Sequence, residues 1–118
     1  MENIISFRKL PPDAIIATAK LTRYLLVWRY ADDKSQFLAQ AGYGQDNWQQ
    51  LEANLRNQIL PLDAVRSDEP NQFGDVYEIR GVLSGVNGVN LAVVTIWMVE
   101  YETQQTKFIT LYPDKEAK

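Results

Sequence analysis

Four side chains that could do chemistry stand out in this 118-residue sequence: Lys34, Arg80, Thr110 and Tyr112. Lysine and arginine can stabilise negative charge that develops in a reaction, and a tyrosine hydroxyl can donate a proton. Lys34 opens a predicted helix, where a cation opposes the helix dipole at a cost of a few tenths of a kcal/mol up to about 1 kcal/mol. A cation placed against that preference suggests a ligand. These four residues are therefore the candidate catalytic set.

Ordinary structural roles account for the same residues and carry more weight. Arg80 can pair with Glu78 or face solvent, and Thr110 and Tyr112 follow the preferences of a β-strand. The three tryptophans of the chain fall at core spacings, which favours packing over base stacking. Catalysis by the four residues is thus the alternative interpretation of this pattern.

Missing residue types exclude several classes of protein. The chain has no His and no Cys, which removes disulfides, the usual zinc ligands and the histidine- or cysteine-dependent hydrolases. It also has no glycine-rich phosphate loop. Two carboxylate pairs, Asp32–Asp33 and Asp68–Glu69, fall in predicted loops, where a helix cap and a solvated turn are favoured over a metal site. We therefore predict neither a cofactor nor a metal ion.

Composition and charge indicate the class of protein. With 46% hydrophobic and 11% aromatic residues, the sequence predicts one folded domain over 1–118, with a core of about 9–113 and a disordered charged tail at 114–118. The net charge of -3 argues against a nucleic-acid binder without excluding one. No secretory signal and no apolar run of about 18 residues is present. We expect a cytoplasmic protein that does not bind membranes.

Helical patterns occupy the first half of the chain. Pro11-Pro12 precedes a predicted helix over 13–27, in which Thr18 allows a break near residue 17. A second, short helix is predicted to begin with Asp33 as N-cap and to end at Gly42.

A third helix is predicted to follow a capping pair formed by Asp46 and Gln49 and to end at Pro61. One of its faces is apolar, comprising Trp48, Leu51, Leu55 and Ile59. The other is polar, comprising Gln50, Asn54 and Asn57.

Strand patterns occupy the second half. The segment Val89–Tyr101 is apolar on both faces and contains no Gly or Pro, which predicts the central strand of an antiparallel sheet with helices on at least one face. Leu62–Ser67 is predicted as an edge strand, and Val76–Leu83 is joined to the central strand by Asn87-Gly88. Lys107–Tyr112 completes the sheet, with Phe108, Thr110 and Tyr112 on one face. The expected fold is α+β, with two or three N-terminal helices packed on a C-terminal antiparallel sheet of about four strands.

The order of short motifs carries a family resemblance. The motifs include Lys34-x-x-Phe37, Gly74-x-x-Tyr77-x-Ile79, Thr95-x-Trp97 and Ile109-Thr110-x-Tyr112-Pro113. Together with neighbouring motifs they cover about residues 9–113, and the chain resembles a family of small bacterial proteins, frequent in cyanobacteria, that is known only as a domain of unknown function. The resemblance implies the fold and the single domain, and no established activity.

A second resemblance is to the ribonuclease toxins of the barnase, EndoU, colicin and RelE group, which also place helices ahead of a four-stranded antiparallel sheet. Members of the uncharacterised family often carry a His and a Gly before the position of Lys34, where this chain has residues 30–33. A histidine-dependent mechanism therefore does not apply. A version without histidine would use Lys34 and Arg80 for charge and Tyr112 as the proton donor.

Two functional hypotheses result. The favoured one is a non-catalytic protein-interaction module, of the toxin–antitoxin type, that binds another small protein through a sheet edge or the helical face near residues 20–34. The alternative is a metal-independent enzyme that resembles a ribonuclease and uses the candidate catalytic set. Self-association is a third interpretation, since the predicted edge at Leu62–Ser67 could pair across a two-fold axis to form a homodimer.

Overall fold

A computed structural model describes residues 7–27, 34–69 and 71–117 and shows an antiparallel sheet with helices on one face. The sheet has five strands, which are neighbours in chain order: β1 Phe7–Arg8, β2 Ala64–Arg66, β3 Gly74–Ser84, β4 Asn90–Glu100 and β5 Thr106–Pro113. The α+β prediction is confirmed, with four strands after the helices. The additional strand β1 pairs with β2, so the segment predicted as the sheet edge is not free at Ala64 and Val65.

The helices lie between β1 and β2 in the chain. They are α1 Thr18–Lys20, α2 Lys34–Ala39 and α3 Trp48–Asn54. A π-helical turn, Leu21–Leu25, continues α1, and a second one, Leu55–Ile59, continues α3. No helix among the described residues is both long and apolar enough to cross a bilayer.

The first helix begins later than the sequence predicts. Pro12 and Asp13 form a turn, Ile15 forms a β-bridge, and the helix starts at Thr18, where the break near residue 17 was allowed. Ile15 donates to the Thr106 carbonyl at 2.8 Å and accepts from the Phe108 amide at 2.8 Å, which extends the sheet beyond β5. Ala14 and Ile16 are buried and Ile15 between them is exposed, which is the alternation of a strand. Hydrogen bonds to the edge of β5 therefore favour an extended segment over a helix here.

Strand β4 has neighbours on both sides and is therefore interior, although the central one of the five strands is β3 and not β4 as predicted. Its helix-covered face is buried, and at its centre the Trp97 ring meets Phe108 edge-on at 5.2 Å. The indole N–H donates to the Thr95 hydroxyl at 2.8 Å, and that hydroxyl donates to the Ile79 carbonyl at 3.0 Å. The opposite face of the sheet carries the exposed side chains of Arg80, Val82 and Tyr112, and we call it the open face.

Asn54 corrects the prediction for the third helix. Leu51, Leu55 and Ile59 are buried as predicted. Asn54, placed on the polar face by its type, is only 9% exposed and donates to the Tyr43 hydroxyl at 2.6 Å and to the Ser84 carbonyl at 3.2 Å. Its position beside Leu55 puts it at the border of the buried face, where the end of β3 offers partners.

Turns and caps are partly as predicted. Gly42 and Gly88 adopt left-handed φ values of 87° and 88°. Asn87 does not: its side chain instead accepts from the Val89 amide at 3.0 Å, so one left-handed residue suffices for this hairpin. A 3₁₀ turn, Gln45–Asn47, precedes α3, and Asn47 rather than Asp46 provides its capping oxygen, which accepts from the Gly44 amide at 2.8 Å. The predicted cap Asp33 and the predicted core residue Trp28 lie outside the described residues.

A β-bulge in β5 changes which residues share a face. Trp97 is opposite Phe108, whereas its neighbour Ile96 is opposite Thr110, so Ile109 is an extra residue. Phe108 therefore faces the core and Thr110 the open face. The expectation that the two share a face is wrong, because alternation along one strand cannot anticipate an inserted residue.

Candidate functional site

A cluster of two lysines, a tyrosine and a threonine lies beside β5. Lys34 Nζ donates to Thr110 Oγ1 at 2.8 Å and to the Tyr24 hydroxyl at 3.2 Å. The same ammonium is 5.4 Å from the centroid of the Tyr24 ring, and the Lys20 ammonium is 5.6 Å from it. We call Lys20, Tyr24, Lys34 and Thr110 the Lys34 cluster.

Irregular backbone positions the Lys34 cluster. Leu21 and Leu25 are buried in the first π-helical turn, and Tyr24 between them remains 41% exposed. Leu38, one turn after Lys34, is fully buried and anchors α2. Thr110 directly follows the bulge in β5. π-Helical turns and bulges are frequent next to functional sites, because they redirect a side chain that regular geometry would place elsewhere.

The electrostatics of the cluster favour negative charge. The hydrogen bond from Lys34, followed by that from Thr110, lowers the pKa of Tyr24 below its ordinary value, against the opposing effect of burial. The charges of Lys34 and Lys20 act in the same direction. Tyr24 is therefore a stronger proton donor than an ordinary tyrosine, and the two ammonium groups can hold an anion.

Arg80 is engaged in ion pairs on the open face. Its Nε donates to Glu78 at 2.7 Å, the pairing that its sequence position suggested, and its Nη1 donates to Asp114 at 2.8 Å. The Asp114 amide donates in turn to the Ala92 carbonyl at 2.9 Å. Asp114 is thus held on the sheet, although the sequence places it in a disordered tail.

Tyr112 lies on the same face of the sheet as Arg80, two strands away. Arg80 is opposite Val94 on β4, and Val94 is opposite Tyr112 on β5. These three residues and residues 113–116 line a depression of about 410 Å³.

The structure therefore arranges the four candidate residues as two pairs, Lys34 with Thr110 and Arg80 with Tyr112. Among the described residues no hydrogen bond joins one pair to the other. Of the two pairs, only Lys34 and Thr110 lie within hydrogen-bond distance of each other. The catalytic role of the four residues stays a prediction.

Tyr24 and Lys20 are the cluster members that sequence reasoning missed. Tyr24 was assigned to the apolar stripe of its helix. The available signal was its spacing of four residues from Lys20, which places an ammonium over the ring on a helical surface.

Another depression, of about 560 Å³, lies at the start of β3 and includes Asp68 and Glu69 in its lining. Asp75 accepts there from Arg66 and from the Tyr101 hydroxyl, each at 3.0 Å, and the Arg66 hydrogen bond is the main reason that the pKa of Asp75 is lowered. Asp75 is thus already paired. Among the residues that the structure describes, no three acidic side chains are arranged as metal ligands.

Comparison with known proteins places the chain in a family. No curated protein and no solved structure matches it. A family model described as a domain of unknown function (DUF6883) matches residues 10–115, which include the whole Lys34 cluster, Arg80 and Tyr112. The match confirms the resemblance to a family of unknown function and covers nearly the whole chain, which therefore belongs to the DUF6883 family.

Proposed function

We propose that this protein is a non-catalytic interaction module that binds an acidic segment of another small protein, as in toxin–antitoxin pairs. The supporting observation is the Lys34 cluster, in which two ammonium groups flank one exposed tyrosine ring. Three of its four members, Lys20, Tyr24 and Lys34, lie in the region 20–34 favoured by the sequence, and Thr110 lies on β5. A docking role also fits a chain that contains neither imidazole nor thiol side chains.

Each part of the cluster has a role in such a contact. Carboxylates of the partner accept from the Lys20 and Lys34 ammonium groups, and the Tyr24 ring supplies apolar area beside them. Exposed ion pairs contribute about 0.2–1 kcal/mol each, so the affinity depends on several contacts together. Because exposed charges are screened by ions, the complex should weaken as the salt concentration rises.

The test is co-expression with the protein encoded by the adjacent gene, followed by size-exclusion chromatography and titration calorimetry. Lys20→Ala/Lys34→Ala should weaken the complex at least about tenfold, which corresponds to about 1.4 kcal/mol. The matched control is Lys9→Ala/Arg66→Ala, which removes two exposed cations near the β1–β2 edge. Equal weakening by both variants, or no complex with the unmodified protein at low salt, would contradict the proposal.

A metal-independent ribonuclease activity is the second candidate. It is favoured by the 2.8 Å contact between Lys34 and Thr110 and by the lowered pKa of Tyr24, which together provide a cation and a proton donor. The assay is cleavage of a single-stranded RNA oligonucleotide in the presence of a chelator. An interaction module should give no turnover. Cleavage that Lys34→Ala abolishes and Lys9→Ala preserves would replace the first proposal with the second.

A further inference from the structure

Arg80 reaches across the open face and holds the segment that follows β5. Its side chain starts on β3 and passes Val94, which is 1% exposed, to reach Asp114 at 2.8 Å and Glu116 at 3.8 Å. An arginine thus lies over an apolar sheet residue with two carboxylates from the same short segment. We call residues 114–117 the acidic strap.

The acidic strap is held by few contacts. One backbone hydrogen bond ties Asp114 to Ala92, and two internal ones, from the amides of Glu116 and Ala117, stabilise a local turn. The Glu116 side chain is 86% exposed and that of Arg80 is 43% exposed. Ion pairs as exposed as the one between them are weak, so another carboxylate can replace Glu116 at little cost.

We propose that Arg80, Val94 and Tyr112 form a binding site for an acidic peptide segment, and that Asp114 and Glu116 occupy this site when no partner is bound. Carboxylates already pair with Arg80, which indicates that a partner segment bound there carries carboxylates as well. The depression of about 410 Å³ beside them provides room for a partner's side chain.

The inference rests on the proposed function for the identity of the partner and extends its contact surface. Thr110 of the Lys34 cluster and Tyr112 lie two residues apart on the same face of β5, a separation of about 7 Å along a strand. One extended acidic segment can therefore contact the Lys34 cluster and displace the acidic strap from Arg80.

The test measures the affinity of the full chain for a fluorescent hexaglutamate peptide at low salt. Asp114→Asn/Glu116→Gln should bind roughly three- to thirtyfold more tightly than the unmodified protein, the range expected when the largely buried Asp114 and the exposed Glu116 no longer compete for Arg80. Asp68→Asn/Glu102→Gln removes the same charge from exposed positions away from Arg80 and should change the affinity less than about twofold. Adding Arg80→Gln to the strap variant should remove its gain.

Three results would overturn the inference: equal gains in the strap variant and the control, no binding of hexaglutamate by the strap variant, or a gain only for an oligouridylate of matched charge. The last result would assign the surface to nucleic acid. Failure of the proposed function has a different signature. In that case Lys20→Ala/Lys34→Ala leaves the hexaglutamate affinity unchanged while the strap variant still gains.

Discussion

The Lys34 ammonium lies 2.8 Å from the Thr110 hydroxyl, although 76 residues separate the two in the chain. The contact joins the first residue of α2 to β5 just after its bulge. It depends on both features, because in a regular strand, with Ile109 paired to Ile96, the Thr110 side chain would share the face of Phe108 and point into the core. This contact provides the first prediction.

Replacing Thr110 by valine removes the hydroxyl and keeps the shape of the side chain, so the variant measures what the hydroxyl contributes to stability. Thr110→Val removes one of the two acceptors for Lys34, so we expect the free energy of unfolding to fall by about 0.5–1.5 kcal/mol, the usual net contribution of one hydrogen bond. Thr110→Ser keeps the hydroxyl and should lose less. Urea denaturation measures both variants, and a larger loss in the serine variant would contradict the role given to the hydroxyl.

The pKa of Tyr24 should rise when Lys34 is removed. Its pKa lies below the ordinary value of 10.0 mainly because Lys34 donates a hydrogen bond to its oxygen. Lys34→Ala should therefore move the phenol titration of Tyr24 towards 10.0. Phenolate absorbance measures this shift, and subtracting the Tyr24→Phe titration isolates Tyr24 from the other tyrosines.

The sign of the linked stability change follows from the same shift. A depressed pKa in the folded state means that ionisation of Tyr24 favours folding. Its contribution to stability is fully present above the unfolded-state value near 10 and is lost as the pH falls through the lowered folded-state pKa. Relative to Tyr24→Phe, the unmodified protein should gain stability as the pH rises through this window; a loss would contradict the assignment.

Asn54 and Asn57 should behave differently, although both are asparagines near the end of one helical segment. Asn54→Ala removes the donor to the Tyr43 hydroxyl and one of two donors to the Ser84 carbonyl, which should cost about 1–3 kcal/mol. Asn57 is exposed, so Asn57→Ala should stay within about 0.5 kcal/mol. Chemical denaturation of the two variants measures the loss in the free energy of unfolding, and equal losses would contradict the burial of Asn54.

Two glycines provide a matched test of close packing. A Cβ at Gly85 would overlap the Cβ and the carbonyl oxygen of Ala41, whereas a Cβ at Gly44 would meet nothing within 4 Å. Gly85→Ala should destabilise the fold by about 1–3 kcal/mol, the usual cost of overpacking. Gly44→Ala should be neutral or slightly stabilising, because its φ of -153° is extended. Thermal unfolding that ranks the two in the opposite order would contradict this packing.

Features with a local cause could be predicted from the sequence. The apolar run of β4 predicted a central strand, and β4 is an interior one. The spacing of Leu51, Leu55 and Ile59 predicted the buried face of α3 and of the π-helical turn that continues it. Gly42 and Gly88 were predicted turn residues because few other residues adopt a positive φ. In each case the cause lies within a few neighbouring residues.

Features that depend on distant partners could not be predicted. Ile15 is extended because β5 offers it hydrogen bonds, and Asn54 is buried because Ser84 and Tyr43 offer partners. Asp114 is ordered because Arg80 lies two strands away. No local pattern in the sequence contains these partners.

For the candidate site, the sequence by itself determined the available chemistry: lysine, arginine, tyrosine and threonine, with no imidazole and no thiol. It identified Lys34 and Thr110 but could not pair them. Only the tertiary structure decided that Lys34 contacts Thr110 and that Tyr24 and Lys20 lie beside them. It also decided that Arg80 pairs with Asp114. The physical reason is that one extra residue in β5 and one π-helical turn redirect side chains, and both irregularities exist only where strands and helices pack against each other.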